Sequence, residues 1–227
     1  MITGTQHGFL PGKSTTSNLI EYLDAVTSEV DQGNIVCAIY TDFTKCFDRI
    51  PHHLLLHKLK NRYHVNGAVL DWIGDWLTRR RQRVILNGEA SEYVDVTSGV
   101  IQGSVLGPIL FIMYINDLDD RVREADDRIY IVKFADDTKI GREIVDINDA
   151  NKLQAGINNL VDWCRDWGMA LHPDKCIVLH FGHKNPRHTY FINDAPIKSD
   201  DTARDLGVHV STNCKTSAHV DIITKKA

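Results

Sequence analysis

The sequence predicts an α+β fold, an antiparallel sheet backed by helices. Three observations predict it. Ile35-Val36-Cys37-Ala38-Ile39-Tyr40 is a continuous apolar run between turn and polar residues, the pattern of a strand buried on both faces. Ile129 to Lys133 and Thr138 to Ile140 alternate on either side of a tight tip, the pattern of a hairpin. Helical-period segments separate such runs, and the connections around the central hairpins are too short for parallel crossovers.

Each element has its own signal. Ser14 is an N-cap for a helix to about Gln32, with Leu19, Ile20, Leu23, Val26 and Val30 at helical spacing and Gly33-Asn34 as its end. The apolar strand then delivers Thr41-Asp42. Pro51 precedes a helix with Leu54, Leu55 and Leu59 on one face. A second, Gly67 to Arg79, carries Leu70, Ile73, Trp76 and Leu77. Arg80 to Leu86 and Glu92 to Val96 flank Asn87-Gly88, a hairpin turn signal. Val105 to Leu118 reads as one buried helix, Gly107-Pro108 being tolerated in its first turn. Asp146 to Trp167 is a long amphipathic helix ended by Gly168. Cys176 to Phe181 is a strand, Tyr190 to Ile197 a hairpin, and Asp205 to Val210 one more short strand before a polar, basic tail at Lys225-Lys226.

With 227 residues the chain can build one sizeable core, and 43% hydrophobic and 25% charged residues are ordinary for a globular protein. A net charge of −4 weighs against nucleic-acid binding by bulk electrostatics but leaves room for a local basic face. Five dispersed cysteines without C-x-x-C spacing suit reduced thiols inside a cell, nucleus and cytoplasm not being distinguished, with Cys37 and Cys46 as small core residues. No uncharged apolar stretch is long enough to span a membrane, and the first residues lack the pattern of a signal peptide. The histidine clusters His52, His53, His57 and His180, His183, His188 lack cysteines at zinc-finger spacing and are read as surface or amphipathic positions. Gly8 to Ser14 mimics a phosphate-binding loop but has one residue too few between its glycines and no preceding strand.

The chemistry centres on Phe134-Ala135-Asp136-Asp137. Adjacent carboxylates at a hairpin tip repel each other unless a cation or strong donor neutralises them. Hard divalent cations take oxygen ligands from one or two carboxylates plus substrate phosphates. Asp42, at the end of the most buried strand, is the third carboxylate if the two strands are neighbours. Three carboxylates on a sheet edge can hold two Mg²⁺ ions ~4 Å apart, stabilising attacking and leaving oxygens in phosphoryl transfer. The pairs Asp119-Asp120, Asp126-Asp127 and Asp200-Asp201 lie in polar surroundings and are read as solvated loop residues.

Four motifs in order carry a family resemblance. Asp42-Phe43-Thr44-Lys45-Cys46-Phe47-Asp48, Gly99 to Pro108 (GVIQGSVLGP), Phe134-Ala135-Asp136-Asp137 and Trp167 to Cys176 (WGMALHPDKC) resemble the successive palm motifs of reverse transcriptases from non-LTR, LINE-like retrotransposons. Gln6-His7-Gly8-Phe9 with Gly12-Lys13-Ser14 is similar to the finger segment before the palm, and Asp205-Leu206-Gly207-Val208 to the stretch entering the thumb. Ile101 stands where the family usually has Pro, and Lys13 where Arg is common.

The resemblance implies a right-hand polymerase palm with a remnant of the fingers (1–34), the palm with inserted fingers-side helices and hairpin (35–198), and a truncated palm-to-thumb transition (199–227). It implies an RNA-directed DNA polymerase using two Mg²⁺ ions, with Mn²⁺ as a substitute, on an RNA template, a DNA primer and dNTPs. Asp42, Asp136 and Asp137 would ligate the metals, with the Phe43 carbonyl as a further ligand. Phe47 would clash with a ribose 2′-OH. Gln102 and Gly103 would lie against the incoming nucleotide and template. Lys175 would protonate or neutralise the leaving pyrophosphate. The match gives Asp48 no metal role, and a helix-entry cap or an ion-pair partner is its plainer reading. The full fingers, thumb and endonuclease domain are expected to lie outside this chain. The alternative is a catalytically silent fragment that retains nucleic-acid or protein binding.

Overall fold

The structure, a computed structural model, describes residues 1–225. The first helix, α1 (Thr15–Asp31), begins at a capping box in which Ser14 and Ser17 each accept the other's backbone N–H. The apolar run becomes β1 (Val36–Thr41). A single helical turn, α2 (Cys46–Arg49), follows, then α3 (His52–Tyr63) and α4 (Ala68–Thr78). The expected hairpin forms around Asn87-Gly88 but splits into two short ladders, β2 (Arg81–Gln82) with β5 (Val94–Asp95) and β3 (Ile85–Leu86) with β4 (Glu89–Ala90).

The helix expected over Val105 to Leu118 is two, α5 (Leu106–Tyr114) and α6 (Leu118–Arg123). The break has a tertiary cause: Asn116 bonds to the backbone of Met1 and Thr3, and the Asp117 carboxylate accepts from Lys58 and Trp163. The hairpin of β6 (Tyr130–Phe134) and β7 (Asp137–Glu143) follows, then α7 (Ile147–Asp166), capped by the Asp146 carboxylate on the Asn148 and Asp149 amides. A 3-10 turn at Pro173–Lys175 leads into β8 (Ile177–Phe181). The hairpin of β9 (Phe191–Ile192) and β10 (Ala195–Pro196) forms as expected. Beyond it lie β11 (Lys198–Asp200), β12 (Thr202–Asp205), β13 (Val208–Ser211) and α8 (Ser217–Thr224).

The central sheet has the order β11-β8-β1-β7-β6. Three of its four pairings are antiparallel as expected, but β11 runs parallel to β8, so the sheet is mixed. Strand β1 is the middle strand and both its faces are covered. Val36 and Ala38 pack with Tyr22 and Val26 of α1, and Cys37 and Ile39 with Leu153 and Ile157 of α7. Two covered faces are the physical reason that its sequence shows no polar alternation.

Three expectations are corrected. The segment from Asp205 to Val210 is not one strand but parts of the β12–β13 hairpin, turning at Leu206-Gly207. The tail carries α8; Lys226 lies outside the described residues. Asp119 and Asp126 are not solvated loop residues. Asp119 is buried in α6, paired with the buried Lys133 of β6, and Asp126 receives Arg142 and Lys152. Buried carboxylates of this kind persist only when paired.

Candidate active site

Strand β1 delivers Asp42 directly. The β1–β7 register pairs Thr41 with Thr138, so one further step sets Asp42 against Asp137, the first residue of β7. Asp136 precedes it in the two-residue loop closed by the Phe134–Asp137 pair. All three expected metal-binding carboxylates therefore sit at one end of two adjacent strands.

Their surroundings set their charge. Asp137 is exposed, yet its pKa is pushed up to about 6: partial loss of water is the largest cause, Asp136 and Asp205 add repulsion, Lys139 opposes them and Asp42 adds a smaller share. Lys139 itself is buried, donating at 2.6 Å to both Asp205 Oδ2 and Asn18 Oδ1, so it is already committed to one carboxylate. Asp136 Oδ2 accepts from the Cys46 thiol at 3.0 Å, and burial together with that carboxylate keeps the thiol protonated. The sequence marked Cys46 as a core residue; it is buried, and it also touches the site, a role with no local signal.

A cleft of about 530 Å³ opens beside Asp136. Phe43, Phe47, Gln102, Gly103 and Asp136 all line it, together with Phe9, Lys45, Cys46, Ser104 and Pro108. Five of the eight expected site residues thus share one cavity. Pro108, read from the sequence only as a tolerated residue in the first turn of the next helix, joins them. Phe47 is half-buried, stacked on Phe111 at 4.1 Å and edge-on to Phe9 at 6.2 Å, which fixes its ring at the cleft wall. The bridge that pairs Phe43 with Leu171 is made by the flanking bonds His172 N–H to Asp42 O and Thr44 N–H to Ala170 O, not by the Phe43 carbonyl.

The loop bearing Gln102 is held against α2. Gly99 N–H donates to Ile50 O at 2.8 Å and Val100 N–H to Phe47 O at 2.9 Å. Gly99 has φ +87°, and a Cβ there would lie 2.8 Å from the Asp48 backbone, so only glycine fits. Gln102 Nε2 donates to Asp48 Oδ1 at 3.1 Å. Asp48 therefore does not cap α2, whose N-cap is Lys45, and forms no ion pair among the described residues; it orients Gln102. Lys175 does not line the cleft. Its Nζ lies 3.7 Å from Asp42 Oδ1 with both side chains well exposed, a pair weakened by solvent.

In kind, this donor set fits a hard divalent cation: carboxylate oxygens whose mutual repulsion is incompletely compensated. Among the described residues no three His, Cys, Asp or Glu side chains already converge as ligands, so the carboxylates must rotate to share an ion.

An antiparallel-centred palm sheet with carboxylates at the ends of its middle strands defines a nucleic-acid polymerase core. The reverse transcriptase (RNA-dependent DNA polymerase) family profile matches residues 1–210, and the chain belongs to that family. It is 26% identical over 226 residues to the probable RNA-directed DNA polymerase from transposon X-element of Drosophila melanogaster, covering 97% of this chain and 24% of that protein. It is 24% identical over 220 residues to the RNA-directed DNA polymerase from mobile element jockey of the same organism, covering 95% of this chain and 24% of that protein. The chain thus spans about a quarter (24%) of the length of these curated relatives. Apo telomerase from Candida tropicalis, truncated from its C-terminal domain, has the same fold, with a TM-score of 0.63 at 11% identity over 93% of this chain and 40% of that one. These relatives bear out the resemblance to reverse transcriptases of non-LTR elements, and the fold bears out the α+β palm.

Proposed function

We propose that this chain is the palm of an RNA-directed DNA polymerase that adds deoxynucleotides to a primer 3′-OH on an RNA template. The observation that carries this reading is the Asp42–Asp137 juxtaposition beside a cleft lined by Phe43, Phe47, Gln102, Gly103 and Asp136. In the proposed reaction the primer 3′-oxygen bonds to the α-phosphorus of a dNTP, the bond to the β-phosphate oxygen breaks, and pyrophosphate leaves.

Divalent metal is what the family generally uses. Asp42, Asp136 and Asp137 would hold the ions, two Mg²⁺ or Mn²⁺, which supply charge neutralisation and a more acidic 3′-hydroxyl. The chain's own residues do the rest. Phe47, wedged by Phe9 and Phe111, limits the space at the sugar. Gln102, braced by Asp48, and Gly103 line the same cleft. Lys45 brings a cation to the cleft for a phosphate. Lys175 would leave Asp42 to meet the pyrophosphate.

The division into fingers remnant (1–34), palm (35–198) and thumb transition (199–227) belongs to this reading, as does an intracellular setting, which the five free cysteines suit. No helix among the described residues is long and apolar enough to cross a membrane. The test is primer extension on an RNA template with Mg²⁺ or Mn²⁺, wild type beside Asp136→Asn. Extension by the wild type and its loss in the variant is the expected result; equal activity sinks the metal assignment. RNA binding without extension by either is the outcome of a silent fragment.

A further inference from the structure

The residue that holds the Asp136-Asp137 turn in place comes from the first turn of the chain. The segment Thr5-Gln6-His7 lies along the edge of β6: Lys133 N–H donates to Thr5 O at 2.9 Å and His7 N–H to Lys133 O at 2.8 Å, a parallel bridge centred on Gln6. Gln6 is 1% exposed. Its side chain reaches past the end of β6 into the turn. Oε1 accepts the Ala135 N–H at 2.8 Å and the Gly8 N–H at 2.7 Å, while Nε2 donates to Ala135 O at 3.3 Å.

Ala135 needs this support for two reasons. It has φ +54°, the left-handed region that an alanine adopts only at a cost. It is also buried at 6% exposure, so without Gln6 its amide hydrogen would lose its partner away from water. The chain behind is fitted just as closely: a Cβ on Gly8 would lie 2.4 Å from Ala135 N. Strained backbone persists where its surroundings over-determine it, and Gln6 with Gly8 supplies that surrounding.

We propose that Gln6 is a positioning residue for catalysis, clamping Ala135 through both backbone groups so that Asp136 and Asp137 are presented toward Asp42. The inference rests on the polymerase reading for its consequence, but its physical content, the clamp, is measured separately. Gln6 touches no reacting atom; it acts only through the turn.

The experiment compares the full chain with Gln6→Met, which keeps length and volume but neither accepts nor donates strongly, and with Gly8→Ala, which presses on the same turn from the other side. The readouts are amide hydrogen exchange at Ala135, Mn²⁺ affinity by electron paramagnetic resonance, primer extension and thermal melting. In Gln6→Met the Ala135 amide is expected to exchange at least about tenfold faster, the loss of one buried hydrogen bond. Half-saturating Mn²⁺ is expected to rise at least about threefold and extension to fall about tenfold, the scale of a misplaced catalytic group. Adding Ala135→Gly, which adopts φ > 0 freely, is expected to recover part of both losses, a rescue that a merely structural role would not give.

Wild-type Mn²⁺ affinity and wild-type Ala135 exchange in both Gln6→Met and Gly8→Ala overturn the proposal. If Gln6→Met does not fold, Gly8→Ala and its combination with Ala135→Gly decide it. If Asp136→Asn extends primers as well as wild type, the polymerase assignment falls while the exchange at Ala135 still reports on the clamp. If no form extends a primer, exchange and Mn²⁺ affinity decide the clamp without activity.

Discussion

Thr41 and Thr138 face each other across β1 and β7, and the Thr41 hydroxyl donates to the Thr138 carbonyl at 2.9 Å. This buried bond pins the register one residue before the two strands deliver Asp42 and Asp137. A one-residue slip in a sheet sends every side chain to the opposite face, so the alignment of the carboxylates depends on this pairing.

Thr41→Val keeps the shape and removes the donor. Stability is expected to fall by about 1 kcal/mol in urea denaturation. Primer extension should drop severalfold through looser placement of Asp42 against Asp137. Unchanged stability and rate would show that the ladder alone fixes the register.

Asp137→Asn removes the charge most crowded by Asp136 and Asp205. With a pKa raised to about 6, the carboxylate binds protons more tightly in the folded than in the unfolded chain, so its ionisation costs stability as pH rises from about 4 to 6 and that cost is complete at pH 7. Because Asp137 is exposed, solvent screening cuts the effect to about 1 kcal/mol. The metal-free variant is therefore expected to melt higher than wild type at pH 7 while losing extension activity. A lower melting temperature would show that the carboxylate makes a stabilising contact.

Phe47→Val is expected to admit ribonucleotides. The ring is fixed by Phe9 and Phe111, so it cannot swing aside for a 2′-OH. The ratio of kcat/KM for dNTP over rNTP should fall at least about tenfold, the scale of a removed steric clash, with a stability loss of about 1–2 kcal/mol. An unchanged ratio would leave Phe47 as a packing residue.

Lys58 provides a pH signature away from the site. Its ammonium is buried, bonded to Tyr114 O at 2.6 Å and Asp117 Oδ1 at 2.7 Å, over the Trp167 ring at 3.4 Å. Burial outweighs Asp117 and lowers its pKa from 10.5 to about 8. Between these values the unfolded chain binds more protons, so this group makes the fold more stable as pH rises from 8 to 10.5, by about 3 kcal/mol in all, and contributes no slope below 8. The difference in stability between wild type and Lys58→Met, followed by denaturation from pH 7 to 10, isolates it. A flat difference would mean that Lys58 stays charged throughout.

What the sequence made legible were the elements whose pattern is local. Leu19, Leu23 and Val26 mark α1, and the apolar run Ile35 to Tyr40 marks β1, because periodicity reports directly on a buried face. The three carboxylates were legible because Asp42 follows the apolar strand and Asp136-Asp137 stand at the tip of a hairpin. What escaped depends on residues far apart in the chain. Asp119 looked solvated because its partner Lys133 arrives on another element. The break between α5 and α6 follows from Asn116 binding the chain terminus. Cys46 read as core because nothing nearby in sequence announces a thiol donating to Asp136. The Leu206-Gly207 turn lacks the Asn or Asp that usually signals a tight hairpin, so two strands read as one.

The central place of β1 has a consequence for how the protein is made. The Thr41–Thr138 bond spans 97 residues and the contact of Cys37 with His180 in β8 spans 143. At a translation rate of about 5–20 residues per second, the ribosome needs roughly 5–20 s after β1 to supply its first sheet neighbour. Throughout that interval the most apolar strand of the chain has two unpaired edges, the condition that invites association between nascent chains. A product that stops before residue 137 never acquires either neighbour, and such shortened copies are expected to reach cells as chaperone clients or inclusion bodies rather than as partial enzymes.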